Sequence, residues 1–266
     1  EALTEATLGM DLIPINKTGT RGEKAIGFAR SGRTRMPLVH PIQDKSTEAA
    51  IETFNHARRL FCDGKIDVVK SDNGKGFASE KFQEHIFEAC GASYEPSPPE
   101  EQNLNPAENQ WGQIRDRIKV TCSRSKGRMP EEEWPAIAKG AQMIESVMCG
   151  AFGRRFGVEA EKRAIDNLAP VGTAMDAKDF RPEKSQFEPN GHKVCYLGPV
   201  PNGVLFCEAE RNAKTGELKL SVPKVTNNFK LRRGEYFFKQ GMDGLVRNLA
   251  LLLGIPDSRV AIFGEG

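Results

Sequence analysis

Apolar and polar positions alternate through the first forty residues in a way that predicts three adjacent strands. The strands cover Thr7 to Ile15, residues 25–29 and residues 36–40, and polar turns containing glycine separate them. Short connections of this kind favour antiparallel pairing. After the third strand, apolar positions at helical spacing predict a helix that begins at Ser46 or Thr47 and ends near Gly64.

The next segments predict strands and helices in alternation. The apolar run 66–70 predicts a fourth strand, which can lie parallel to the first because a helix intervenes. A helix capped by Ser79 and ended by Gly91 follows, then a short extended piece, then a helix that opens at Asn105 and Pro106. The resulting order, βββ-α-β-α-β-α, predicts an α/β mixed sheet flanked by helices, of the ribonuclease H type.

The second half of the chain has a different pattern. Residues 130–168 are helical in pattern, with interruptions at Gly150 and Gly153. We interpret residues 1–168 as a core domain with trailing helices and residues 169–185 as a linker. Short strands separated by turn residues predict a small all-β, SH3-like barrel over residues 186–240, and residues 241–266 are predicted to form a C-terminal helix and tail.

Composition narrows the class of protein. With 38% hydrophobic and 28% charged residues and no run of 18 apolar positions, the chain has a soluble, globular composition and no membrane-spanning helix. It begins without Met just before its first strand, which suggests a fragment of a longer protein. The six cysteines contain no CxxC pair, so we expect reduced thiols in an intracellular protein and no structural zinc. No role is predicted for the four histidines.

Three carboxylates are candidates for metal chemistry. Asp11 lies in the middle of the first strand, Asp72 at the end of the fourth, and Glu108 in the first turn of a helix, with 35 residues between Asp72 and Glu108. If the two strands are adjacent and parallel, both aspartates project to the same edge. Carboxylates that lie close together repel one another unless cations neutralise their charge. Hard oxygen ligands of this kind suit Mg²⁺ or Mn²⁺. Asp72 as a turn former and Glu108 as a helix cap remain the simpler alternatives.

Two segments resemble a known family. The stretch from Lys70 to Ser79 (KSDNGKGFAS) and the stretch from Gln102 to Asn109 (QNLNPAEN) are similar to the catalytic core of integrases of retroviruses and copia-like LTR retrotransposons. The 35-residue spacing agrees with that D,D-35-E family, and the resemblance covers roughly residues 7–125. Pro106 and Asn109 depart from the residues most common in the family. The family's zinc domain would lie upstream of this chain.

The resemblance implies a polynucleotidyl transferase. Such an enzyme trims the 3′ ends of element DNA with water and then joins the new 3′-hydroxyl to target DNA. Asp11, Asp72 and Glu108 would be the catalytic and metal-binding residues, holding two Mg²⁺ or Mn²⁺ ions. The implied partners are double-stranded DNA at the element ends and the target, and further copies of the chain. No membrane partner is expected, and the implied location is the nucleus or an intracellular nucleoprotein particle.

Polar and basic residues around the carboxylates are candidates for DNA binding. Arg115 and Lys119 follow Glu108 by 7 and 11 residues, which places all three on one helical face. A solvated basic face is the open alternative. The candidates are Asn73, Gln102, Asn103, Asn105, Asn109, Arg115 and Lys119.

Other functions remain open on the sequence. A DDE transposase of an insertion sequence shares the Asp-Asn-Gly and Asn-x-x-Glu features, although the longer chain with trailing strands favours a retroelement. An inactive, domesticated copy would bind DNA without catalysis. A ribonuclease H proper is disfavoured because that enzyme usually gathers four carboxylates.

Overall fold

A mixed five-stranded sheet forms the centre of the first half of the chain in the computed structural model. The structure describes residues 6–61, 65–72, 74–97, 106–124, 131–178, 191–211 and 218–237. The strands of the sheet are β1 (Thr7–Pro14), β2 (Ala25–Ser31), β3 (Pro37–Ile42), β4 (Val68–Ser71) and β5 (Ser93–Pro96). They lie in the order β3-β2-β1-β4-β5. The first three are antiparallel, and β4 and β5 run parallel to β1. This is the predicted ribonuclease H-like arrangement.

Helices cover both faces of this sheet. Helices α1 (Thr47–Leu60) and α2 (Glu80–Cys90) pack with the apolar side chains of β1 that alternate with Asp11. Helices α3 (Pro106–Arg124) and α4 (Trp134–Met148), the latter preceded by a 3₁₀ turn, pack on the other face. The predicted caps are present at α1 and α2, where Ser46 and Ser79 each accept a hydrogen bond from a backbone N–H of the first turn.

The edge strand β3 is covered by α4. The side-chain Oε1 of Gln142 accepts a hydrogen bond from the backbone N–H of Val39 at 2.9 Å, and this contact is buried. An exposed edge strand leaves backbone groups open to pairing with another chain. Gln142 therefore satisfies one of these groups and fixes α4 against the sheet.

Two glycines with positive φ separate α4 from the two helices that follow it. Gly150, with φ of 67°, separates α4 from α5 (Ala151–Phe156), and Gly157, with φ of 90°, separates α5 from α6 (Val158–Asp166). The predicted interruption at Gly153 is wrong. Gly153 lies inside α5, where a Cβ would overlap with the Glu161 carboxylate and where its N–H donates to Glu161 Oε1 at 3.2 Å.

A second, antiparallel sheet follows. Its strands are β6 (Thr173–Lys178), β7 (Gly191–Val200), β8 (Gly203–Cys207), β11 (Lys224–Thr226) and β12 (Phe229–Tyr236), in the order β11-β8-β7-β6-β12. The strands β9 (Ala209–Arg211) and β10 (Leu218–Leu220) form a separate pair. The first of the five strands, β6, lies inside the segment predicted as a linker.

The predicted barrel closure is not found among the described residues, where β11 and β12 form the two open edges of the sheet. Instead, α4 covers the face of the sheet that carries Leu197 of β7. Ile137 and Ile144 of α4 pack with this leucine. Gly140 allows this contact, because a Cβ there would overlap with the carbonyl oxygen of Leu197. Residues 241–266, the predicted C-terminal helix and tail, lie outside the described residues. Within the described part of the chain, every helix is too short or too polar to cross a bilayer.

Gly27 generates a testable prediction about this fold. A Cβ at Gly27 of β2 would overlap with Oγ1 of Thr53, which is fully buried and donates to the carbonyl of Ala49 at 2.8 Å. We expect Gly27→Ala to push α1 from the sheet and to lower the free energy of unfolding by about 1–3 kcal/mol. The measurement is urea denaturation.

The matched control is Gly112→Ala in α3. A Cβ at Gly112 meets no atom within 4 Å, so this variant should be unchanged or stabilised by up to about 1 kcal/mol. Equal stability of the two variants would contradict close packing of α1 at Gly27.

Candidate active site

The register between β1 and β4 brings Asp11 and Asp72 to the same level. Thr7 pairs with Val68 and Gly9 pairs with Lys70. Continued by two residues, the same register sets Asp72 beside Asp11. Neighbouring strands lie about 4.7–4.9 Å apart, so the two carboxylates come from adjacent backbone positions. Both residues are half-buried.

Asp11 lies on the face of the sheet that α3 covers. It pairs with Phe28 of β2, whose ring packs against Trp111 of α3 at 6.1 Å between centroids. Ala107, in the first turn of α3, is fully buried in the same cluster. Glu108 follows Ala107 directly in that turn, although its side chain lies outside what the structure describes. Asp11 and the first turn of α3 therefore lie on the same face of the sheet, and the strand that leads to Asp72 is the neighbour of β1.

The backbone of Asp72 is held by two hydroxyl groups. Ser71 Oγ donates to the Asp72 carbonyl at 2.7 Å, and Tyr94 OH donates to the same oxygen at 3.1 Å. The two hydroxyl groups are 3.1 Å apart, and Ser71 is fully buried. Asp72 Oδ1 also accepts from the N–H of Gly74 at 3.3 Å. Asp72 thus forms the turn that the simpler interpretation expected, and its backbone position is fixed as well.

Tyr94 was not identified from the sequence because its role depends on strand order. It lies in β5 opposite Val69 of β4. Burial raises the pKa of the Tyr94 hydroxyl, the hydrogen bond with Ser71 lowers it, and the charge of Asp72 raises it further. The hydroxyl therefore stays protonated at neutral pH and serves as a donor towards Asp72.

The predicted DNA contacts divide into two groups. Arg115 and Lys119 lie on the exposed face of α3. Lys119 Nζ lies 3.4 Å from Asp116 Oδ1 in an exposed pair of the same helix, and Arg115 has no side-chain ion pair with a described residue. The remaining candidates are not described: the positions of Asn73, Gln102, Asn103 and Asn105, and the side chain of Asn109.

Several other basic residues are engaged within the protein. Arg117 Nε contacts Glu145 Oε2 at 2.7 Å, where the Glu145 side chain is only 4% exposed, so this pair joins α3 to α4. Arg154 and Arg155 donate to the backbone carbonyls of residues 34 and 60. Arg233 donates to the carbonyls of residues 166 and 168. These contacts stabilise the fold, and they occupy these arginine side chains within the chain.

A cluster that the sequence analysis missed lies on the other face of the sheet. His40 of β3 and Glu52 and His56 of α1 bring their ligand atoms within 4.8 Å of one another. Burial lowers the pKa of His40, and the positive charge of a protonated His56 would lower it further, while Glu52 raises it. Burial also lowers the pKa of His56, with Glu52 again acting in the opposite direction. The spacing of Glu52 and His56 was visible in the sequence, but His40 joins them only through the fold.

Comparisons with known proteins identify similar folds. No protein-family model matches the chain, and no curated protein sequence matches it. Among solved structures, the HTLV-2 integrase catalytic core domain in complex with magnesium is 16% identical, with a TM-score of 0.39 over 51% of this chain and 83% of that one. The catalytic core domain of BIV integrase is 15% identical, with a TM-score of 0.39 over 54% of this chain and 82% of that one.

A larger assembly is also similar over more of the chain. The simian T-cell lymphotropic virus intasome in complex with the PP2A regulatory subunit B56 gamma is 10% identical, with a TM-score of 0.46. That match covers 88% of this chain and 81% of the other. At these identities the similarity concerns the fold alone.

The contacts around Asp72 generate a testable prediction. We expect Ser71→Ala and Tyr94→Phe each to lower the free energy of unfolding by about 0.5–1.5 kcal/mol, because each removes a donor to the Asp72 carbonyl. The double variant should cost less than the sum, because the two hydroxyl groups share one acceptor. Urea denaturation of the four proteins in the cycle measures the coupling. Strict additivity would show that the hydroxyl groups act independently of each other.

Proposed function

We propose that this chain is the catalytic region of an LTR-retroelement integrase. It would trim the 3′ ends of element DNA with water and then join each new 3′-hydroxyl to a phosphodiester of target DNA. The observation that carries this proposal is the β1–β4 register, which sets Asp11 level with Asp72 on the face where α3 begins. Glu108, in the first turn of α3, supplies the third carboxylate of the proposed site.

The residues present suit divalent metal ions. Two aspartates from adjacent parallel strands, with a glutamate from the helix beside them, form a donor set of oxygen atoms only. Such a set repels itself without cations and prefers Mg²⁺ or Mn²⁺. Asp11, Asp72 and Glu108 would hold two ions. Bound there, the two ions would activate the attacking hydroxyl and stabilise the leaving oxygen of an in-line displacement.

The protein itself contributes position and charge. The hydroxyl groups of Ser71 and Tyr94 hold the backbone at Asp72, which limits movement of its carboxylate. Arg115 and Lys119 extend the face of Glu108 along α3, where they would bind DNA phosphates. Gly112 lies between Glu108 and Arg115 on this face and leaves it open, since even an added Cβ would contact nothing within 4 Å. The proposed partners are element and target DNA and further copies of the chain, in the nucleus or a nucleoprotein particle.

Strand transfer tests the proposal directly. The substrate is a pool of duplexes with recessed 3′ ends and randomised terminal base pairs, mixed with plasmid target and Mg²⁺ or Mn²⁺. We expect Asp72→Asn to reduce joining by about 100- to 1000-fold, because the metal ions contribute several kcal/mol to the transition state. Glu84→Gln, the same change of carboxylate to amide on the exposed surface of α2, should leave joining unchanged.

Two outcomes would contradict the proposed activity. Asp72→Asn joining DNA as fast as Glu84→Gln would refute the site. A wild-type chain that binds duplex DNA but joins none with either metal would instead support a DNA-binding module without catalysis.

The face of α3 generates a separate prediction about DNA binding. We expect Arg115→Gln to weaken binding uniformly across sequences and to reduce the slope of log K against log salt by about 1, because one phosphate contact is lost. The matched control is Arg59→Gln, an exposed arginine on α1, which should leave the slope unchanged. Fluorescence anisotropy of duplex DNA over a series of salt concentrations measures both. An unchanged slope for Arg115→Gln would show that Arg115 contacts no DNA phosphate and that this face is a solvated basic surface.

A further inference from the structure

We propose that His40, Glu52 and His56 bind one first-row divalent transition-metal ion of the zinc type. This site is separate from the carboxylate site. His40 pairs with Gly27, and Gly27 pairs with Leu12, so the cluster lies on the sheet face that α1 covers. Asp11 is the neighbour of Leu12 and lies on the opposite face.

The distances approach those of a metal site. Glu52 Oε1 lies 3.2 Å from His40 Nε2 and 4.0 Å from His56 Nε2. Zinc binds nitrogen and oxygen ligands at about 2.0–2.2 Å in a tetrahedron, which places ligand atoms about 3.3–3.6 Å from one another. The stacked rings of His40 and His56 must rotate about their side-chain bonds before the lone pairs of both nitrogens, which lie in the ring planes, can point to one ion.

The helix supplies two of these ligands in a favourable arrangement. Glu52 and His56 are four residues apart on α1, so their side chains leave the helix on the same face. The spacing of four residues is also the spacing of the two histidines in the helical zinc motif H-E-x-x-H. The third ligand comes from a strand, which makes the site a connection between α1 and the edge strand β3.

The surroundings of His40 Nε2 suit a metal ligand. Its Nε2 atom is buried, and the carboxylate oxygen that it contacts is Glu52 Oε1, at 3.2 Å. The imidazole rings of His40 and His56 stack at 4.1 Å between centroids.

The ligand types select the ion. Two imidazole nitrogens and one carboxylate suit zinc and related ions, whereas Mg²⁺ prefers oxygen ligands only. The side chains of Glu52 and His56 are 60% and 42% exposed, so an ion can enter from solvent. Three protein ligands leave a fourth position, which water would occupy.

The packing of α1 explains why the three side chains meet. Thr53, next to Glu52, sits directly over Gly27 and occupies the space where a Cβ would lie. This brings α1 close to β2, and Gly27 is paired with His40 on β3. A larger residue at Gly27 would move Glu52 and His56 away from His40.

The test uses the whole chain, stripped with a chelator and titrated with Zn²⁺ by calorimetry. We expect one ion per chain beyond any metal held by cysteines or by the proposed carboxylate site. Glu52→Gln and His56→Gln should each weaken binding by more than the 10- to 100-fold that is typical for loss of an outer-shell partner. The side chain of Glu52 is exposed and that of His56 is partly exposed, so these variants should fold. At zinc about 100-fold above the dissociation constant, the Tm of the wild type should rise by roughly 5–10 °C.

Two control variants isolate the cluster. His192 Nε2 also faces a carboxylate, Glu208 Oε1 at 3.0 Å, but Lys224 stands on the other side of that carboxylate instead of a second histidine. His192→Gln should therefore bind zinc as the wild type does. Asp72→Asn should also keep zinc binding, which separates this site from the proposed catalytic one.

Co²⁺ in place of Zn²⁺ reports the ligands directly. We expect the visible d–d absorption of a four-coordinate ion with nitrogen and oxygen ligands, lost in His56→Gln. A thiolate charge-transfer band that persists in that variant would assign the metal to cysteine and overturn the proposal. Unchanged zinc stoichiometry and Tm in both Glu52→Gln and His56→Gln would overturn it equally.

Discussion

The parallel pairing of β1 with β4 is the constraint on which the rest of the structure depends. Its register pairs Gly9 with Lys70 and, continued by two residues, would set Asp72 level with Asp11 on the face that α3 covers. Because side chains alternate between faces, a slip of one residue would turn one aspartate into the apolar layer under α1. Leu8 and Val69, which are paired and almost fully buried in that layer, oppose such a slip. The apolar core on one face therefore determines the position of the carboxylates on the other.

Close backbone contacts then connect the turn after Asp72 to the start of α1. Gly76 lies where a Cβ would be 3.1 Å from the carbonyl oxygen of Ser46, the N-cap of α1. Thr47 Oγ1 contacts Ser79 Oγ at 3.1 Å, so the first residue of α1 contacts the N-cap of α2. The turn between β4 and α2 is thus fixed by α1, while Tyr94 fixes it from β5. Contacts among α1, α2 and β5 therefore limit the movement of the turn at Asp72.

The sequence predicted the features that depend on neighbouring residues and missed those that depend on distant ones. Strand and helix order and the caps at Ser46 and Ser79 follow from local patterns. Barrel closure was predicted wrongly because strand patterns do not reveal that α4 covers the second sheet. The pairing of Arg117 with Glu145, and the meeting of His40 with His56, join side chains from different elements. No local sequence pattern reveals these contacts. Each of them nevertheless determines whether a charged or titratable side chain is available for binding.

The engagement of so many arginines limits how a single chain would hold DNA. On the described surface, the basic residues that continue the face of Glu108 are Arg115 and Lys119, and Lys119 is partly neutralised by Asp116. Duplex DNA carries one negative charge per about 1.7 Å, and each neutralised phosphate contributes about 0.9 to the salt slope. Two contacts give a slope of about 2, well below that of proteins that make 6–10 phosphate contacts. Other basic side chains, or further copies of the chain, would therefore have to supply the remaining contacts that tight binding of DNA needs.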